Sequence, residues 1–244
     1  MPRPAGAPGE WRLYETAEAV AEHAAEWLSA LASSCNGEVA ICLSGGSTPR
    51  RLYQRLASDP LAARIPWNQI HWFWGDERFV AHDDPASNYR MAYDALFSRV
   101  PVSQDRIHPI PTQGLSPEGA AAAYQTLLQG YYGNKRLDVN RSIFDVTLLG
   151  VGEDGHTASL FPGSSALRDD RRWVRAVVGE ADQARVTLTF PVLNSSRNVA
   201  FLVTGENKKK ILAQIRAGDG STPVARIRPV GRLYWFVDRA AVLG

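Results

Sequence analysis

Apolar runs and helically spaced apolar residues take turns along this chain. Residues 11–15 (W-R-L-Y-E) read as a first short strand. The alanine-rich stretch 16–33 carries Val20, Ala24, Trp27, Leu28 and Leu31 three or four apart, the spacing of one buried helix face. The run 39–43 (V-A-I-C-L) predicts a buried strand that stops at S-G-G-S-T-P. Pro49 suits the first turn of a helix capped by Ser47 or Thr48 and reaching about residue 57. The pattern then gives a strand at 70–74, a helix at 87–99 with Tyr89, Ala92, Tyr93, Leu96 and Phe97 on one face, and a short strand at 106–110. A helix at 117–129 opened by Ser116 and a strand at 144–149 come next. Strands at 174–178, 186–190, 199–203 and 233–237 and a helix at 206–217 complete the chain.

Strands alternating with helices predict an α/β fold, its mostly parallel sheet covered by helices on both faces. The run I-H-W-F-W at 70–74 fits a strand buried on both sides. The later strands come faster, without a helix between every pair, so part of the sheet is expected to be antiparallel. No internal repeat or low-complexity linker divides residues 1–244, which read as one domain with a frayed, Pro- and Gly-rich start at 1–10.

Composition narrows the classes of function. A hydrophobic share of 45% and a charged share of 21% are those of a globular protein. The net charge is +2, and the longest basic block is Lys208, Lys209 and Lys210, so the electrostatic footprint of a nucleic-acid binder is missing. Cys35 and Cys42 are too few for a four-thiolate metal site and suggest no disulfide framework. No apolar stretch resembles a signal peptide or spans a bilayer. The expectation is a reduced, cytoplasmic protein with no membrane or nucleic-acid partner.

Three loops carry the chemistry. In Ser44-Gly45-Gly46-Ser47-Thr48, between a strand and a helix, glycines admit an anion and the helix amides and hydroxyls donate to it, although the nucleotide P-loop pattern is absent. In Gly75-Asp76-Glu77-Arg78, the arginine suits a phosphate and a carboxylate suits a sugar hydroxyl. The third, G-V-G-E-D-G-H at 150–156, comes after an apolar strand and leads to F-P-G at 161–163. Its G-x-G-x-x-G match does not read as a dinucleotide site, because the glycines run into His156 and Pro162-Gly163 would break a helix starting there after barely two turns. Asp154 two residues before His156 suits a carboxylate orienting a general base. The other histidines read as bland: His23 in a helix, His71 in a core strand, His108 in a short strand, and His82 in a polar loop without partners at metal spacing. No G-x-S-x-G elbow is present.

Taken together, L-S-G-G-S-T-P at 43–49, W-G-D-E-R at 74–78, S-N-Y at 87–89, the run 150–163 and T-G-E-N-K at 204–208 resemble the 6-phosphogluconolactonases. The resemblance implies a Rossmann-like three-layer fold shared with glucosamine-6-phosphate deaminases. It implies hydrolysis of 6-phospho-D-glucono-1,5-lactone in the pentose phosphate pathway, without metal or organic cofactor, by a monomer or small homo-oligomer. His156 would be the general base, with Asp154 beside it and Asp76 as a further acidic site residue. Gly45, Gly46, Ser47, Thr48, Arg78 and Lys208 would hold the phosphate. One departure is T-P-V-A-R at 222–226, where many relatives have a small-residue L-P-A-S type run. The competing readings are a deaminase, a non-catalytic sugar-phosphate sensor and an NAD-linked oxidoreductase. The deaminase motif carries an acid after D-G-H, where residues 159–163 here have none.

Overall fold

The computed structural model describes residues 8–179 and 181–243. The strands are β1 (Glu10–Tyr14), β2 (Val39–Leu43), β3 (Ile70–Trp74), β4 (Asp76–Arg78), β5 (Ile107–His108), β6 (Val146–Leu149), β7 (Val174–Val177), β8 (Arg185–Leu188), β9 (Asn198–Val203) and β10 (Arg232–Asp238). The helices are α1 (Ala17–Ser34), α2 (Ser47–Leu56), α3 (Asn88–Ala95), α4 (Pro117–Tyr132), α5 (Phe190–Asn194), α6 (Lys209–Arg216) and α7 (Arg239–Val242). Side chains that take backbone amides set several starts: Thr16 accepts from Ala19 at α1, Ser87 from Arg90 at α3, and Ser116 from Gly119 at α4. Gly133 in the left-handed region closes α4.

Seven strands form one sheet in the order β1-β10-β9-β6-β2-β3-β5, and every pairing in it is parallel. All residues of β2, β6 and β9 are buried, so both faces of the sheet centre are covered, as the unbroken apolar runs predict. The expected antiparallel part lies elsewhere: β4, β8 and β7 make a separate three-stranded antiparallel sheet. Helices α1, α2 and α3 pack in succession, while α4 packs on the small sheet.

The chain leaves β2 toward β3 and β5, then returns at β6 on the other side of β2 toward β9 and β10. Strand order therefore reverses between β2 and β6, where open α/β sheets form a crevice beyond the carboxyl ends of their strands. The loops after β2 and β6 flank that point.

Several boundaries differ from expectation. The cap of α2 is Gly46, and Ser47 and Thr48 lie inside the helix. Residues 75–78, expected as a loop, hold β4. The helix expected over 87–99 breaks at Leu96 into a 3-10 turn. The strand at 106–110 shrinks to two residues because Pro109 has no N–H to pair. The strand at 186–190 stops at Leu188, where α5 begins with Pro191 in its first turn. Of the expected frayed start, residues 1–7 lie outside the described residues, but Glu10 pairs in β1 and the Pro8 carbonyl accepts from the Trp235 indole at 3.0 Å.

His108 makes the structure sensitive to acid. Its Nε2 meets His71 Nδ1 at 2.8 Å, and burial, then the His71 charge, lowers its pKa to about 4. Arg106 and Tyr131 also lie against this pair. A histidine lowered in the folded state leaves the proton to the unfolded chain. Stability is therefore lost as pH falls through the ordinary histidine value toward 4. The unfolding midpoint should drop across that window, and less steeply in His108→Gln. Equal slopes would assign the acid sensitivity to other groups.

Candidate active site

Tyr53 fixes the entrance to the first loop. Its fully buried hydroxyl accepts from the Ser44 amide at 3.0 Å and donates to the Ser44 carbonyl at 2.8 Å. Gly46 then turns the chain at φ +108°, a conformation L side chains rarely adopt, and no side chain caps α2. The first amides of α2 thus face the crevice with the positive end of the helix dipole. Thr48 Oγ1 lies 2.7 Å from Thr204 Oγ1, tying this loop to the one after β9.

The two acids of the second motif part company. Asp76 lines the crevice, buried, with Oδ2 accepting from the Ser159 hydroxyl at 2.6 Å. Glu77 turns inward and accepts from the amides of Arg78, Asn88 and Tyr89 and the hydroxyl of Ser87, at 2.7 to 3.1 Å. Burial raises its pKa against the pull of those amides. Glu77 therefore holds α3 onto β4 and places Arg78 and Asn88.

Arg78 donates through Nη1 to the Ala86 carbonyl, and its buried Nε has no partner. Directly across the β4–β8 pairing stands Arg185, whose buried Nε is also unpartnered. Burial, then the charge of Arg78, lowers the Arg185 pKa. Among the described residues neither arginine forms a salt bridge. Two adjacent guanidiniums, desolvated and without a carboxylate, are arranged for an anion.

The third loop is a tight turn. The Gly152 amide donates to the His156 carbonyl at 2.8 Å, and the Gly155 amide to the Gly152 carbonyl at 3.0 Å. Asp154 Oδ1 accepts from the His156 amide at 3.0 Å and lies 2.6 Å from ring Nδ1. Burial would raise the Asp154 carboxyl, but its bonds to His156 bring it below the ordinary carboxylate value. With Nδ1–H donating to Asp154, Nε2 is left as the basic nitrogen, and among the described residues it has no partner. A Cβ on Gly152 would stand 2.1 Å from His156 Nδ1, so any side chain there must displace the imidazole. Ala158, at φ 49°, is the one described non-glycine residue in the left-handed region, and it also lines the crevice.

Gly45, Gly46, Ser47, Thr48, Asp76, Arg78, His156 and Lys208 all line one cleft of about 360 Å³, and Asp154 stands behind His156. Lys208 lines it, whereas Lys209 and Lys210 are exposed outside it. Arg185 also lines it, unannounced by any motif: its place beside Arg78 comes from strand pairing, which spacing along the chain does not reveal. Segment 222–226 buttresses the third loop, the Val224 amide donating to the Gly155 carbonyl at 3.1 Å. Arg226 is outside the cleft lining; it lies over the Phe190 ring at 4.2 Å and donates to the Leu167 carbonyl. Among the described residues no three His, Cys, Asp or Glu side chains gather as metal ligands, and no helix is long and apolar enough to cross a membrane.

Comparison with known proteins gives the same direction. A family model described as "Glucosamine-6-phosphate isomerases/6-phosphogluconolactonase" matches residues 15–235. A 6-phosphogluconolactonase of Nostoc sp. is 42% identical over 209 residues, 84% of each chain. The structure of 6-phosphogluconolactonase from Trypanosoma cruzi superposes with a TM-score of 0.83 at 28% identity, covering 97% of this chain and 96% of that one. A monomeric glucosamine-6-phosphate deaminase superposes with a TM-score of 0.79 at 19% identity over 95% of this chain and 98% of its own, a likeness of fold alone. With its site motifs gathered in one cleft and its match running from residue 15 to 235, the chain belongs to the glucosamine-6-phosphate isomerase/6-phosphogluconolactonase family.

Proposed function

We propose that the protein hydrolyses 6-phospho-D-glucono-1,5-lactone to 6-phosphogluconate, acting as one cytoplasmic α/β domain in the pentose phosphate pathway. One observation carries this reading: the Asp154–His156 pair stands at the same cleft as two adjacent arginines that, among the described residues, form no salt bridge. The relatives named 6-phosphogluconolactonase support it.

Arg78, Arg185 and Lys208, with the amides and hydroxyls of Ser47 and Thr48, anchor the phosphate. Asp76 accepts a sugar hydroxyl, held in place by Ser159. His156 Nε2 takes a proton from water as its oxygen attacks the lactone carbonyl, and Asp154 stabilises the resulting imidazolium. The tetrahedral intermediate then collapses, breaking the bond from carbonyl carbon to ring oxygen. The imidazolium returns its proton to that oxygen, leaving the open-chain acid.

Hydrolysis of freshly generated lactone above the spontaneous rate tests the reading, and a rate equal to the protein-free control contradicts it. Gly152→Ala probes the base geometry without touching its chemistry. The added methyl must push the imidazole aside, and misplacement on that scale costs on the order of 10²-fold in turnover. Unchanged turnover in the folded variant would show that the imidazole position is not critical.

The absence of an acid over residues 159–163 favours the lactonase over a deaminase. Ammonia release from glucosamine 6-phosphate would reverse that choice.

A further inference from the structure

The aromatic ring of Phe161 has no part in the mechanism above, yet it touches both halves of the site. Its centroid lies 4.7 Å from that of the His156 imidazole, with the planes inclined by 48°. The Arg185 guanidinium carbon lies 6.0 Å from the same centroid. Phe161 is half-buried and packs on the main apolar core, and its carbonyl accepts from the Ser164 amide at 3.1 Å, closing the turn through Pro162 and Gly163.

A ring held at one nitrogen can still tilt about that hydrogen bond. Asp154 fixes His156 through Nδ1, and an aromatic contact removes the remaining freedom. The site also contains a charge conflict. Proton transfer makes His156 cationic in a cleft with Arg78, Arg185 and Lys208, where Asp76 is the carboxylate in the lining among the described residues and Asp154 stands behind the imidazole. The Phe161 ring packs against the imidazole and lies within cation–π reach of the guanidinium, so it favours positive charge on either side chain.

We propose that Phe161 is a positioning residue for the general base, fixing the imidazole plane of His156. This rests on the reading of His156 as the base. The charged groups around the imidazole are Asp154 on its own turn, Asp76 and Arg78 on β4, Arg185 on β8 and Lys208 after β9.

The test compares the wild type with Phe161→Leu and Phe161→Tyr. Phe161→Leu keeps an apolar side chain of similar reach but loses the aromatic face. It should lower kcat by about tenfold, as expected for a loosened base, with KM changing less than about twofold. Phe161→Tyr should restore kcat. The His156 imidazole resonance, followed by NMR against pH, should differ from wild type in Phe161→Leu and return toward it in Phe161→Tyr. Unchanged kcat and titration in a folded Phe161→Leu variant would overturn the proposal. So would a loss seen in KM alone. If the wild type hydrolyses no lactone, the function reading fails, while the NMR titration still reports whether Phe161 controls the imidazole.

Discussion

Replacing His156 by alanine is expected to lower kcat on the lactone by about 10²–10⁴-fold, the usual contribution of general acid–base transfer, with KM changed only a few-fold. The asymmetry comes from the geometry. The groups proposed to hold the phosphate lie on β4, β8, the start of α2 and the loop after β9, whereas His156 stands on the turn after β6. Truncating it removes the proton acceptor and leaves phosphate anchoring intact. Asp154→Asn should act in the same direction but less, since the amide still bonds the imidazole while losing the charge that stabilises imidazolium. The double variant should be little worse than His156→Ala, because Asp154 acts through His156. Additive losses would mean that Asp154 touches the reaction independently.

The second large effect belongs to the arginine pair. Arg78→Ala and Arg185→Ala should each raise KM by roughly 10- to 100-fold, as expected when a charge-assisted hydrogen bond of about 1.5–3 kcal/mol is lost. Turnover at saturation should fall less. The pair is also expected to cost stability without a bound anion, since Arg185 is desolvated beside Arg78 and, among the described residues, neither forms a salt bridge. Arg185→Met is therefore expected to unfold at the same or a higher temperature than wild type in phosphate-free buffer. Added inorganic phosphate should raise the wild-type midpoint and leave the variant's almost unmoved, because an anion that binds only the folded state stabilises it. Equal phosphate response in both would remove Arg185 from the anion site.

Much of the architecture is set by local pattern. Strands 39–43 and 70–74 match the structure residue for residue, because unbroken apolar runs between polar loops admit few other arrangements. The errors fall where pairing or a single backbone conformation decides. Asp76-Glu77-Arg78 looks polar enough for a loop, yet β8 supplies the partner that makes it a strand. Gly46 is the α2 cap because its φ of +108° turns the chain, a property no side chain signals. Among the site residues, His156 and Lys208 stand out by motif and Arg78 by its place after a buried strand. Arg185 sits in an ordinary R-V-T-L segment and acquires meaning only opposite Arg78. Phe161 reads as part of a Phe-Pro-Gly stop, and its contact with the imidazole five residues earlier appears only once the turn between them is folded.

The most direct test is hydrolysis of freshly generated 6-phospho-D-glucono-1,5-lactone by the purified protein, run beside His156→Ala and a protein-free control. The lactone also opens spontaneously, so the comparison of rates decides. Acceleration by the wild type, with the folded His156→Ala variant close to the control, is the predicted result. A wild-type rate equal to the control, or an undiminished rate in His156→Ala, would contradict the account.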